Sequence, residues 1–266
     1  MTDLAAVDPA HRQSAHRVRL EWGVTGGRAI AEGTESADIA VVVDVLSFTT
    51  TVSVAVRRGI RVLPYPWRGE RAEQYAAAND AVLALGRLEA QQRPGSPSLS
   101  PAAMAAAGRF SRVVLPSPNG STICAALAEC GVADRGVAVV TAALRNRAAV
   151  AAWLAPRVAQ GAVLAVVPAG ERWLDESLRP CAEDLWGAGA LLAALVDAGV
   201  SDLSPEARLA VAAWRSVEAD LGAQLRACAS GRELVAKGFD EDVDLAAVLD
   251  VDPVVPVLRA GVFTSA

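Results

Sequence analysis

The stretch Ile39-Ala40-Val41-Val42-Val43-Asp44-Val45-Leu46-Ser47-Phe48-Thr49-Thr50-Thr51-Val52-Ser53-Val54-Ala55-Val56-Arg57-Arg58-Gly59 decides the fold. An unbroken apolar run rich in β-branched residues, too short for a buried helix, predicts a strand over Ile39 to Val45 covered on both faces, as in a parallel sheet. Thr50 to Arg58 carries helical apolar periodicity and Gly59 supplies a stop. Strand, short polar loop and helix together make one β-α unit, and the pattern recurs. Val113-Val114-Leu115 leads through Pro116-Ser117-Pro118-Asn119-Gly120-Ser121-Thr122 into a helix ending near Glu129. Val166-Val167-Pro168-Ala169-Gly170-Glu171-Arg172-Trp173, followed by Arg179-Pro180-Cys181-Ala182-Glu183-Asp184, forms a third junction, with Pro180 in a first helical turn.

Further strands are predicted at Val18 to Trp22, Arg61 to Tyr65, Val82 to Leu85, Arg112 to Leu115, Val137 to Thr141, Ala162 to Val167 and Val254 to Leu258. Further helices are predicted at Arg147 to Val158, Pro180 to Ala198 and Pro205 to Ala229, the last stopped by Gly231. This alternation predicts a layered α/β/α fold with a largely parallel or mixed central sheet. Residues 1–17 read as a flexible N-terminal tail and residues 18–266 as a single α/β domain. The Pro-, Gly- and Ser-rich Gln91 to Pro101 segment reads as a loop folded over the site.

The 266 residues, 53% hydrophobic, suffice for a sizeable core, and the net charge of −5 gives no footprint for nucleic acid. No apolar run reaches membrane-spanning length and no secretory leader is evident, so a cytoplasmic protein without a membrane partner is expected. Cys124, Cys130, Cys181 and Cys228 are scattered without a C-x-x-C pair and read as reduced thiols. Trp153, Trp186 and Trp214 offer helix surfaces that a homodimer would bury.

Helix starts present unpaired N–H groups and the positive end of the dipole, so two such junctions in one chain point to an anionic ligand. One of Thr49, Thr50 and Thr51 is expected to cap its helix and the others to donate to the anion. Asp44 lies several residues ahead of that helix's first turn, so it is read as a ligand-bearing carboxylate at a strand end and not as a cap. Asn119, Gly120, Ser121 and Thr122 are candidate phosphate contacts, joined by Ser47. Glu183 and Asp184 gain from the dipole of their own helix, and being about 100° apart only one of them is expected to face a metal. Oxygen-only acids, with His11 and His16 in the tail, suit hard Mg²⁺ and not zinc. Asp44 and one of Glu183 or Asp184 are the expected ligands and catalytic acids, with Glu89 a further candidate metal ligand. Arg145, Arg172 and Arg179 are candidates for a second anion on the substrate.

At these residues the chain resembles the 2-phosphosulfolactate phosphatase (ComB) family. The likeness lies in D-V-L-x-x-T-T at Asp44 to Thr50, N-G-[ST] at Asn119 to Ser121 and E-D-x-x-x-A-G at Glu183 to Gly189. A tail of the form G-x-x-L-x-x-x-G-F-x-x-D at Gly231 to Asp242 completes it, and agreement runs in order from about Val18 to Leu258. The resemblance implies a Mg²⁺-dependent phosphatase that hydrolyses 2-phosphosulfolactate to sulfolactate and phosphate, a step of coenzyme M synthesis. The chain departs from the family pattern after D-V-L, where the familiar form has Arg and this chain has Ser47-Phe48. The expectation is therefore a phosphatase for a small, multiply anionic phosphoester, 2-phosphosulfolactate or a related 2-phospho acid. The alternative is a non-catalytic module that binds a phosphorylated or sulfonated metabolite.

Overall fold

The computed structural model describes residues 7–33, 35–66, 69–132 and 135–266, so residues 1–6 of the expected tail lie outside the described part. Its strands are β1 (Val18–Leu20), β2 (Ile39–Val43), β3 (Arg61–Tyr65), β4 (Val82–Leu83), β5 (Arg112–Pro116), β6 (Gly131–Val132), β7 (Arg135–Gly136), β8 (Ala138–Ala142), β9 (Leu164–Pro168), β10 (Glu171–Arg172), β11 (Leu178–Arg179), β12 (Pro256–Arg259) and β13 (Val262–Ser265). Its helices are α1 (Gly23–Ala31), α2 (Phe48–Arg57), α3 (Glu70–Ala78), α4 (Arg87–Gln91), α5 (Pro101–Ala106), α6 (Gly120–Ala128), α7 (Arg147–Ala159), α8 (Ala182–Asp197), α9 (Pro205–Arg215), α10 (Leu221–Ala227), α11 (Ala229–Ala236) and α12 (Asp240–Ala247).

Nine strands form one mixed sheet in the order β1-β9-β2-β8-β12-β13-β3-β5-β4. β1, β9, β2 and β8 are mutually parallel, as are β3, β5 and β4. Between these blocks lies the β12–β13 hairpin, antiparallel to β8 on one side and to β3 on the other, so the two blocks run in opposite senses. The strand expected at Val254 to Leu258 is thus one arm of a hairpin whose second arm the pattern did not announce. Its two-residue turn, Ala260-Gly261, has positive φ at both positions, the geometry of a type I′ connection between right-twisted strands.

Alternation along β2 sets the layers. Ile39, Val41 and Val43 face α7, α8 and α9, while Ala40 and Val42 face α1, α2 and α6, with every residue of the strand buried. A strand dry on both faces reads as a continuous apolar run for this reason. The α/β/α layering and the mixed central sheet are as expected.

The helix expected over Pro205 to Ala229 is instead divided. α9 ends at Arg215, a turn at Glu218–Asp220 follows, and Cys228 takes an extended conformation between α10 and α11. Gly231 is no stop: it sits inside α11, where a Cβ would fall 1.7 Å from the Leu225 carbonyl oxygen, so its role is to let the two short helices cross. Pro180 likewise precedes its helix, which starts at Ala182 with Cys181 as cap residue. Trp214 is buried in the core with the Arg147 guanidinium over its ring, so it offers no surface to a partner chain. All four cysteines are free and buried. Within the expected tail, Gln13 is packed against the body, its side-chain amide donating to the Leu20 carbonyl and its amide oxygen accepting from the Leu20 N–H. No helix among the described residues is long and apolar enough to cross a membrane.

Candidate active site

Register fixes where the chemistry lies. Val43 pairs with Ala142 of β8 and with Pro168 of β9, so three parallel strands finish together and the loops that follow them share one edge of the sheet. Asp44 follows β2 directly and is buried. Its Oδ1 accepts from the Phe48 N–H at 3.0 Å, the first residue of α2, and its Oδ2 accepts from the Gly120 N–H at 3.1 Å, the first residue of α6. The expectation that Asp44 stands too far from the helix to cap it is therefore corrected: the loop folds back sharply enough for the carboxylate to cap two helices at once. Gly120 makes this approach possible, because a Cβ there would lie 2.3 Å from the Phe48 ring and 2.8 Å from Asp44 Oδ2.

Asp184, in the first turn of α8, reaches the same edge. Its Oδ1 accepts from the Val45 N–H and its Oδ2 from the Gly170 N–H, both at 2.8 Å, which clamps the loop after β2 to the loop after β9. Glu183 is also buried but turns aside to the Cys228 thiol, as adjacent helical residues about 100° apart do. Desolvation raises the Asp44 carboxyl to about 7, with the charge of Glu171 adding to the rise and the N–H groups of Phe48 and Gly120 and the Arg87 cation opposing it. Burial, then the charges of Asp44 and Glu183, push Asp184 well above the ordinary carboxylate range, against the bonds from Val45 and Gly170. Two buried carboxylates, the second raised further by the charge of the first, form a site that gains from a positive charge placed beside them.

Several expected contacts are engaged elsewhere. Thr49 donates to the Asp44 carbonyl, Thr50 to the Val45 carbonyl and Thr51 to the Leu99 carbonyl, so none of the three hydroxyl protons remains for an anion. Thr51 also shows what the Pro- and Ser-rich loop does: it is fixed along the flank of α2, and Ser100 donates to Asp242 of α12. Ser121 donates to the Leu115 carbonyl. The Arg145 guanidinium is buried on Asp252 through Nε at 2.9 Å and Nη2 at 3.2 Å, with Nη1 on the Leu245 carbonyl, so this arginine ties the loop after β8 to the C-terminal segment. Glu89 is exposed and pairs with Arg93, apart from the buried acids. Arg179 donates to Ser230 and lies over the Trp173 ring.

Others remain at the site. Asn119 donates from its amide to Glu171 Oε2 at 3.0 Å, and the Thr122 hydroxyl is buried without a partner. A cleft of about 340 Å³ is lined by Asn119, Glu171 and Arg172 together with Trp22, Gly23 and Thr25 at the start of α1. Three of these features were missed from sequence. α1 is glycine-rich and lacks a side-chain cap, so it carries no start signal. Glu171 opens the two-residue β10 with no cap or periodic signal, and its partner Asn119 is distant in sequence. Arg87 was passed over for Glu89, although the helix begins at Arg87, whose Nη2 donates to the Ser47 hydroxyl at 2.6 Å while Glu89 turns to solvent.

Among the described residues no group of three or more His, Cys, Asp or Glu side chains is arranged to hold a metal. The Asp44–Asp184 pair nevertheless fits a hard divalent ion of the Mg²⁺ kind, which commonly takes only one or two carboxylates and completes its shell with water and substrate phosphate. Their raised pKa values express the same fit, since a cation between them would relieve the cost of burying both charges.

Comparison with known proteins points to one family. A probable 2-phosphosulfolactate phosphatase of Deinococcus radiodurans is 31% identical over 229 residues, covering 84% of this chain and 89% of the relative. Proteins of the same description from Parasynechococcus marenigrum and Synechococcus sp. strain CC9605 are 32% and 34% identical, over 85% and 84% of this chain and 90% and 92% of their own lengths. The class is that of the phosphoric monoester hydrolases, on an α/β scaffold with its acids at the strand ends. Residues 28–261 match the family described as 2-phosphosulpholactate phosphatase, and the chain belongs to that family.

Proposed function

We propose that this protein is a Mg²⁺-dependent phosphatase that hydrolyses a small, multiply anionic phosphoester, 2-phosphosulfolactate or a related 2-phospho acid, to the hydroxy acid and phosphate. The observation that carries the reading is the buried Asp44–Asp184 pair, held at the junction of three strand ends and two helix starts with both pKa values raised. Asp44 and Asp184 would hold the ion, which when bound supplies a Lewis acid that neutralises charge on the phosphoryl oxygens. The chain's own residues do the rest. Asn119, oriented by Glu171, and the Ser121 and Thr122 N–H groups that follow the Asp44-bound Gly120 in α6 would face the phosphoryl group, where fixed donors cost no reorganisation as charge develops. Trp22 and the start of α1 line the cleft beside Asn119, to which Arg172 adds a positive group.

Family relatives named for 2-phosphosulfolactate support that substrate, and the place in coenzyme M synthesis belongs to the same proposal. A cytoplasmic enzyme fits the four free thiols. Homodimerisation is retained as part of the proposal, with the partly buried Trp153 and Trp186 as its surface. Phosphate release from a panel of phosphoesters, with Mg²⁺ and after exhaustive chelation, tests the reading: release from 2-phospho acids that needs the metal supports it, and undiminished release after chelation removes the metal from it.

A further inference from the structure

The arginines expected to bind the substrate's second anion are mostly occupied. Arg145 is locked on Asp252, Arg179 is bonded to Ser230, and Arg172 pairs with Glu176 near solvent. Arg87 is different. Its Nε bonds Asp242 Oδ2 at 3.2 Å, its Nη2 donates to Ser47 at 2.6 Å, and its guanidinium lies over the Phe239 ring with 5.9 Å to the centroid. Asp242 is itself buried and held by Ser100 and the Ala102 N–H, so the fork is anchored by three elements and its side chain is only 21% exposed. Nη1 has no protein partner among the described residues. Ser47 adjoins Phe48, whose N–H is bonded to Asp44, and the positive charge of Arg87 is felt at that carboxylate. An arginine held on two sides, with one corner unbonded, is prepared for a carboxylate or sulfonate in a way that a solvent-exposed arginine is not.

Building on the proposed phosphatase reading, we infer that Arg87 is the specificity-determining cation of the site, taking the substrate's second anionic group on the α2 side of Asp44 while the phosphoryl group lies on the α6 side. Asp44 makes the partition plausible in space, because its two oxygens face the starts of these two helices separately. Ser47 is a positioning residue in this account: a larger side chain there would occupy the place into which the guanidinium reaches.

The test compares wild type with R87Q, R87K and S47A. Binding of sulfolactate and of inorganic phosphate is measured by calorimetry with Mg²⁺ present, and KM and kcat are measured for 2-phosphosulfolactate and for a simple aryl phosphate. R87Q is expected to weaken sulfolactate binding and raise KM for 2-phosphosulfolactate at least about tenfold, equivalent to roughly 1.4 kcal/mol, with inorganic phosphate binding and the aryl substrate's KM changed less than about threefold. R87K should fall between, since it keeps the charge but not the fork, and S47A should give the same selective pattern at smaller size. Equal losses for both substrates, or wild-type sulfolactate binding in folded R87Q, would reduce Arg87 to a structural tie. Should R87Q fail to fold, R87K and S47A decide by the same selectivity. Absence of phosphate release by the wild type counts against the phosphatase reading alone, and sulfolactate binding then still decides the role of Arg87.

Discussion

Replacing Asp44 by Asn separates the electrostatic from the structural share of the site. An acid whose pKa is raised on folding holds its proton more tightly folded than unfolded. Its penalty is therefore absent below the ordinary value of 3.8 and complete above the folded value of about 7. For metal-free protein the full penalty is about 4 kcal/mol, of which roughly 2–3 kcal/mol develops between pH 5 and pH 8. Asn cannot ionise and escapes all of it. Its amide can still accept from the Phe48 N–H, but the group facing the Gly120 N–H becomes a donor, and leaving that buried N–H unmatched costs about 1–3 kcal/mol at any pH. Chemical denaturation of both proteins after chelation should therefore find Asp44→Asn within about 1–2 kcal/mol of wild type near pH 5, where roughly 1–2 kcal/mol of the penalty already weighs on the wild type. The difference should move in the variant's favour by about 2–3 kcal/mol on going to pH 8. Mg²⁺ should stabilise the wild type and not the variant, and turnover should fall by at least about a hundredfold, or roughly 2.7 kcal/mol. A stability difference that stays constant with pH would refute the argument, since it would mean that Asp44 keeps an ordinary carboxylate pKa in the fold.

Two further outcomes follow from packing. Gly120→Ala places a methyl group 2.3 Å from the buried Phe48 ring and 2.8 Å from Asp44 Oδ2, so thermal melts should register a loss of about 1–3 kcal/mol and phosphate release should fall with it; a fully active variant would mean that α6 can retreat from Asp44 without consequence. Arg145→Ala removes the main partner of buried Asp252 and should cost about 3 kcal/mol, the low end for a broken buried pair because Arg57 and Ser53 still bond that carboxylate, while kcat/KM of the folded fraction stays within about threefold of wild type. A selective loss of kcat/KM without a loss of stability would return Arg145 to the substrate site.

The legible part of the fold was the part governed by a local period. β2 is buried on both faces, so its apolar run is continuous and unambiguous, and Gly59 follows the end of α2 in a positive-φ conformation as a stop residue should. What escaped was set by tertiary contact. β13 is a short arm that exists because β8 and β3 flank its hairpin, and Gly231 is required by a helix crossing that the chain's own neighbourhood cannot reveal. The site divides in the same way. Asp44, Asn119 and the Glu183-Asp184 pair, without a choice between its two members, were legible as candidates because each lies where a strand ends or a helix begins. The threonines were misjudged because only the folded loop brings the Asp44, Val45 and Leu99 carbonyls within their reach. Arg87 was hidden because its partners, Ser47 and Asp242, are distant in sequence.

The measurement that bears most directly on the central claim is inorganic phosphate release from 2-phosphosulfolactate, phospholactate and an aryl phosphate by the wild-type protein, each with and without Mg²⁺ after chelation. The account predicts release that requires the metal and a kcat/KM for the doubly anionic 2-phospho acids at least about tenfold above that for the aryl phosphate, a difference of roughly 1.4 kcal/mol. Metal-independent release at equal kcat/KM for all three, or no release from any, would contradict it.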